Sequence, residues 1–130
     1  AFAATAPEAA LNRQLASLSA AASQAGSNGA MTRDVGLPLA EGVAAFARGQ
    51  YADAVEHIEP VRDIANRFGG SHAQRDLITL TLIEAATRAG QPSRASHYIA
   101  ERVVHKPSPW AGRLGDRAKS TRPRSARIAA

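Results

Sequence analysis

The chain contains no cysteine. Disulfide staples, thiolate metal sites and cysteine nucleophiles are therefore excluded. The same absence fits a reducing compartment and sets the expectation of a cytoplasmic protein. Aromatic residues make up only 5% of the 130 residues, so large rings cannot dominate a core. No apolar run approaches the roughly 18–20 residues that span a bilayer, and no membrane association is expected. The motifs of common enzymes are missing as well. There is no Gly-x-Ser-x-Gly elbow, no phosphate-binding loop and no dinucleotide fingerprint. The opening AFAATAPEAA lacks methionine, a basic start and an apolar core, which points away from an intact signal peptide and towards a processed chain or part of a longer one.

What the chain does have is alanine, with Leu, Ile and Val placed at helical intervals. Such a composition favours helices packed closely through small side chains. The length suits one small domain. The expected class is all-α, a helix–turn–helix array of about five helices. Residues 1–34 hold an N-terminal helix and a loop. The helix covers 7–25, with Pro7 in its first turn and Leu11, Leu15, Leu18 and Ala22 in one stripe. GSNGAMTRD (26–34) reads as a loop. Residues 35–110 carry four more helices, over 37–48, 51–68, 72–89 and 92–105. Apolar spacing continues through Pro60, which predicts a bend there rather than a stop at Glu59. Residues 72–89 have an apolar face too wide for a surface helix and should pack on more than one side.

Charge is unevenly spread. The formal net charge is +5, yet residues 106–130 contribute +6 and residues 1–105 only −1. Residues 111–130 therefore read as a basic, disordered tail. Arg113, Arg117, Lys119, Arg122, Arg124 and Arg127 could contact phosphates in a salt-dependent manner. Trp110 is the only aromatic nearby, so base stacking is unsupported.

An internal repeat is visible. ARGQYADAVEHI (47–58) overlays on TRAGQPSRASHYI (87–99) when Gly49 is set on Gly90, a separation of 41 residues. Tyr51 then falls on Pro92, Ala54 on Ala95 and Ile58 on Ile99. In each unit a small residue lets two helices approach, and a large one fills the groove between them. This pattern resembles the tetratricopeptide repeat, a helix–turn–helix unit of about 34 residues. Gly42 matches the small position of the first helix, and Pro107 matches a closing proline. Pro38 and Thr79 stand where an aromatic is common, Ile83 replaces a small residue, and Asn66 stands where a proline is expected. The stretch 33–113 is similar, more specifically, to the C-terminal part of the tetratricopeptide repeat protein 38-like family. Gly36-Leu37-Pro38-Leu39, Gly69 to Asp76, Leu82 to Ala86 and Pro107 to Trp110 carry that likeness. It implies two stacked right-handed hairpins, a C-terminal portion or a shortened relative of a longer protein, and no activity that can be carried over.

FGGSHAQRD (68–76) is the segment richest in chemistry. Ser71 with Gln74 three residues later predicts a capping box that starts a helix. Asp76 would favour the positive helix end. In the competing reading His72, Arg75 and Asp76 hold an anion or a peptide carboxylate. No metal site is read from the four histidines; Asp53 and His57 form an ordinary i, i+4 pair. Glu56, Glu59 and Asp63 share one helix face and read as solvated, or as answering Arg62 and Arg67. No catalytic residue, metal or cofactor is expected. The expected function is a non-catalytic scaffold that holds a partner protein or peptide in its repeat groove, with self-association through an uncapped end as a further outcome. Nucleic-acid or ribonucleoprotein binding through the tail is the alternative.

Overall fold

A computed structural model describes residues 2–65, 71–109 and 111–120. Every element among them is helical: α1 (Phe2–Ala22), α2 (Ser27–Met31), α3 (Leu37–Ala47), α4 (Tyr51–Arg62), α5 (His72–Arg88), α6 (Pro92–His105) and α7 (Ala111–Ser120), with a π-helical turn over Thr32–Gly36. From α3 onward each helix packs chiefly on the next. No helix among the described residues is long and apolar enough to cross a membrane.

Two hairpins, α3–α4 and α5–α6, carry the fold, and their turns are built alike. Gly49 and Gly90 take φ of 77° and 70°, a left-handed conformation that favours glycine. The next residue's amide reaches back to the helix, Gln50 to the Ala45 carbonyl at 2.8 Å and Gln91 to the Ala86 carbonyl at 2.9 Å. Gly49 and Gly90 donate to Phe46 and Thr87 at 3.0 and 3.2 Å. These paired bonds are Schellman caps that reverse the chain at once. The second helix starts as its fourth-residue amide returns to the glutamine carbonyl, Ala54 to Gln50 and Ala95 to Gln91. The 41-residue overlay thus corresponds to matching backbone geometry.

The core follows from that geometry. Ala54, Ala95, Val55 and Ile58 are fully buried, with Leu82, Ala85, Ala86 and Tyr98. Gly42 shows how close the helices come. A Cβ placed there would lie 2.4 Å from Ile58 Cγ1 and 3.2 Å from His57 Cβ. Its counterpart Ile83 is itself buried at 1% exposure, so the second hairpin fills the same place with a large side chain. Most of the apolar face of α5 is buried between α4 and α6, as its width requires, although Leu77 stays exposed. Pro107 lies exposed just beyond α6 and stops it.

Several boundaries differ from the sequence reading. Residues 26–34 are not an open loop. Ser27–Met31 is helical and runs through the π turn into α3. Small residues permit this: Gly29 is buried, and a Cβ on it would meet the Gln24 carbonyl oxygen at 1.9 Å. Helix α4 ends at Arg62, two residues past Pro60, instead of bending on towards Phe68. Proline leaves the Glu56 carbonyl without its amide donor. The chain then tightens, Ile64 donating to Val61 at 3.2 Å, while Val61 and Ala65 still reach the core. Phe68, Gly69 and Gly70 lie outside the described residues. The disordered-tail reading fails for 111–120. That segment is helix α7, with Ala111 and Ala118 buried and Leu114 against the core. Small residues on one face let α7 settle on the hairpins although its other face is basic.

Gly42→Ala is expected to destabilise the fold by about 1–3 kcal/mol, because the methyl must displace Ile58. Urea unfolding checks the magnitude, and the Gly42→Ala/Ile58→Val double variant should recover part of the loss.

Candidate functional site

The start of α5 has the capping geometry that its sequence implies. Ser71 is extended, with φ −71° and ψ 160°. Its hydroxyl accepts from the Gln74 amide at 3.3 Å, and its own amide donates to Gln74 Oε1 at 2.7 Å. His72 and Arg75 are joined: the guanidinium donates to His72 Nδ1 at 2.9 Å.

Asp76 has a larger part than favouring the helix dipole. Its carboxylate accepts from Arg102 Nε at 2.7 Å and Nη2 at 3.0 Å, and from Lys106 Nζ at 3.0 Å. The Arg102 side chain is only 5% exposed and that of Asp76 18%, so this ion pair is mostly shielded from water. It locks the first turns of α5 to the last turn of α6. The Arg102 hydrogen bond is the main reason the Asp76 carboxyl lies below its ordinary pKa, against the opposing effect of burial and with further help from Lys106.

A second tie joins α4 to α6. Tyr98 is fully buried, its hydroxyl donates to Glu59, and the Arg62 guanidinium lies 5.0 Å above its ring. Burial first, and then the bond to Glu59, raise the Tyr98 hydroxyl above its usual pKa. Arg62 also bonds Glu101 at 2.7 Å, and Arg94 bonds Glu56. Within the face of Glu56, Glu59 and Asp63, Glu59 is thus partly enclosed between the hairpins, while Glu56 stays 63% exposed. Asp63 stays 81% exposed, 3.4 Å from Arg62. His57 faces Glu41 of α3 at 3.4 Å, not Asp53.

Tyr51 packs edge-on against Phe46 at 5.3 Å, and Arg88 donates to its hydroxyl at 2.9 Å. Of the basic residues read as phosphate contacts, Arg113, Arg117 and Lys119 are exposed on α7, with Arg117 bonded to Glu84 at 3.0 Å. Arg122, Arg124 and Arg127 lie outside the described residues, as does Trp110. Among the described residues, no three His, Asp or Glu side chains gather closely enough to hold a metal ion.

Two recesses flank the N-terminal half of α5. One is a groove of ≈ 310 Å³ lined by Leu39, Val43 and Phe46 of α3, Ile58 of α4, and Leu77, Ile78 and Thr81 of α5. Val43 and Leu77 are 49% and 64% exposed there. The other is a cleft of ≈ 610 Å³ where the ends of α4 and α6 meet the start of α5. His72, Arg75 and Asp76 all line it, together with Arg62, Arg102 and Lys106.

Sequence reasoning missed Val43 and Leu77. The signal was present for Leu77, which falls off the stripe of Ile78, Leu82, Ala85 and Ala86 on a helical projection. It also missed the Asp76–Arg102 pair, because a contact across 26 residues has no local signature. Compared with protein-family models and with solved structures, the chain matches none.

Asp76→Asn is expected to cost about 2 kcal/mol at neutral pH, since Arg102 would keep a buried charge without its counter-ion. The folded state favours the charged carboxylate, so the stabilisation is complete above about pH 5 and fades as pH falls through the lowered folded value. The gap between wild type and variant should therefore close on acidification below about pH 4 in a series of urea titrations.

Proposed function

We propose that the chain is a non-catalytic helical-repeat module that binds a segment of a partner protein in the α3–α5 groove. The observation that carries this reading is the apolar groove itself. Val43 and Leu77 stand exposed on the first helices of the two hairpins, facing one recess, although neither is needed to fill the core. An apolar recess of this kind takes the apolar face of a helix or the side chains of an extended peptide. The matching turns at Gly49 and Gly90 support the tetratricopeptide character, and the resemblance to the repeat protein 38-like family agrees with it. The lack of cysteine supports a cytoplasmic setting.

Absence of enzymatic activity is part of this reading. Most polar side chains near the groove and cleft are held in pairs that join helices, as with Asp76, Glu59 and Arg62. Phosphate binding through the basic C-terminal residues has less support. On α7 it has Arg113 and Lys119 exposed, while Arg117 is tied to Glu84.

The double variant Val43→Lys/Leu77→Lys tests the reading. Both sites are on the surface, so its unfolding free energy should stay within about 0.5 kcal/mol per site of wild type. A protein captured by the wild-type chain from native lysate should no longer be captured by the variant. Equal capture of the same protein by both would refute the groove.

A further inference from the structure

We propose that Arg88 is a positioning residue of the α3–α5 groove: it holds the Phe46 ring in place as part of the groove wall, and α7 steadies it through Glu84. The inference rests on the groove reading and names a residue outside the groove that sets how well the groove fits its ligand.

Phe46 is the bulkiest side chain lining the groove. It packs against the core yet is only half-buried, so the core alone does not enclose it. Two further contacts hold its ring. Tyr51 meets it edge-on at 5.3 Å, and the Arg88 guanidinium lies 5.8 Å from its centroid. The same guanidinium lies 5.2 Å from the Tyr51 centroid and donates to the Tyr51 hydroxyl at 2.9 Å. A guanidinium is attracted to aromatic rings at such distances. Arg88 therefore spans both rings from the last turn of α5, across the boundary between the hairpins. A half-exposed arginine has many rotamers open to it, and holding it in one costs entropy. Glu84 restricts that freedom. It lies one turn before Arg88 and accepts from its Nε at 2.7 Å, in the favoured order with the acid first. The same Glu84 oxygen accepts from Arg117 of α7 at 3.0 Å. Helix α7 thus reaches the groove without lining it. Arg88 lines neither recess, so it acts through Phe46 and not on a ligand. Arg94 offers the contrast. It too joins the hairpins, by bonding Glu56, but no groove residue depends on it.

The first test needs no ligand. The Leu39 and Val43 methyl groups share the recess with Phe46, so their NMR shifts report the placing of its ring. Arg88→Gln should move both sets of shifts. Arg94→Gln, which cuts the tie to Glu56, should leave them in place. Leu39 and Val43 methyls that stay put in Arg88→Gln would overturn the inference. The second test uses a peptide selected from a random phage library against the intact chain, fluorescently labelled and titrated by anisotropy. Its binding should be lost with Leu77→Lys. Arg88→Gln should weaken it roughly three- to tenfold, as expected from exposed cation–π contacts and the ordering of one side chain. Arg88→Lys keeps a cation over the rings and should recover part of that loss, while Arg94→Gln should leave affinity unaltered. In a Phe46→Leu background Arg88→Gln should have no further effect, because the ring it holds is gone. Affinity unchanged by Arg88→Gln, or an undiminished effect of it in the Phe46→Leu background, would overturn the positioning role and leave the groove standing. A peptide indifferent to Leu77→Lys would overturn the groove reading and this inference with it.

Discussion

The fold depends on how closely its helices approach. Alanine contributes little apolar area, so a core built from it gains stability only if backbones come near enough for a few large side chains to reach everything. Gly42 sets this spacing in the first hairpin, where Ile58 occupies the space a side chain would need. Ala54 and Ala95 set it again at the matching place in the second helix of each hairpin. Once helices are that close, each chain reversal must be immediate, and the positive-φ glycines provide it. Tight turns and small core residues are thus one requirement expressed twice.

Close packing within hairpins leaves the contact between hairpins to be fixed. Here charge and hydrogen bonding add to the apolar core that the two hairpins share. The Glu59–Tyr98 bond with Arg62 above the ring ties α4 to α6 across the hairpins, and Asp76 ties α5 to α6 within the second one. An exposed ion pair would contribute little. These differ because Arg102 and Tyr98 are buried, so the loss of one partner leaves a polar group without water. The consequence is orientational: the pairs are satisfied in one stacking of α4, α5 and α6, which fixes the shape of the groove on the opposite side of α5.

Local rules explain what could be read from the sequence. Helix class, the Gly49 and Gly90 turns, the Ser71–Gln74 cap and the buried alanines all follow from residue type and short spacing. Failures arise where long-range contacts override local signals. Residues 27–31 look like a loop by composition, yet Gly29 is small enough to seat a helical turn against the end of α1. Residues 111–120 look like a soluble tail by charge, yet Ala111, Leu114 and Ala118 share one face, and the hairpins offer a surface for it. Asp76 was legible as a helix-start residue and not as the partner of Arg102, since nothing within one helix encodes its neighbour on another. The site was half legible for the same reason: His72, Arg75 and Asp76 were visible as a cluster, while the apolar groove beside them needs α3 and α5 side by side.

That last point bears on why we propose binding, and not chemistry, for this surface. A catalytic site needs polar groups that remain available to a substrate, with protonation states that change during turnover. Around α5 the carboxylates are instead fixed in their charged form by arginine, and the buried tyrosine is held protonated by burial and Glu59. Such groups resist proton transfer and are suited to holding helices in place. The same arrangement leaves Val43 and Leu77 exposed at the groove beside α5. Such a surface lowers its free energy when a partner covers Val43 and Leu77.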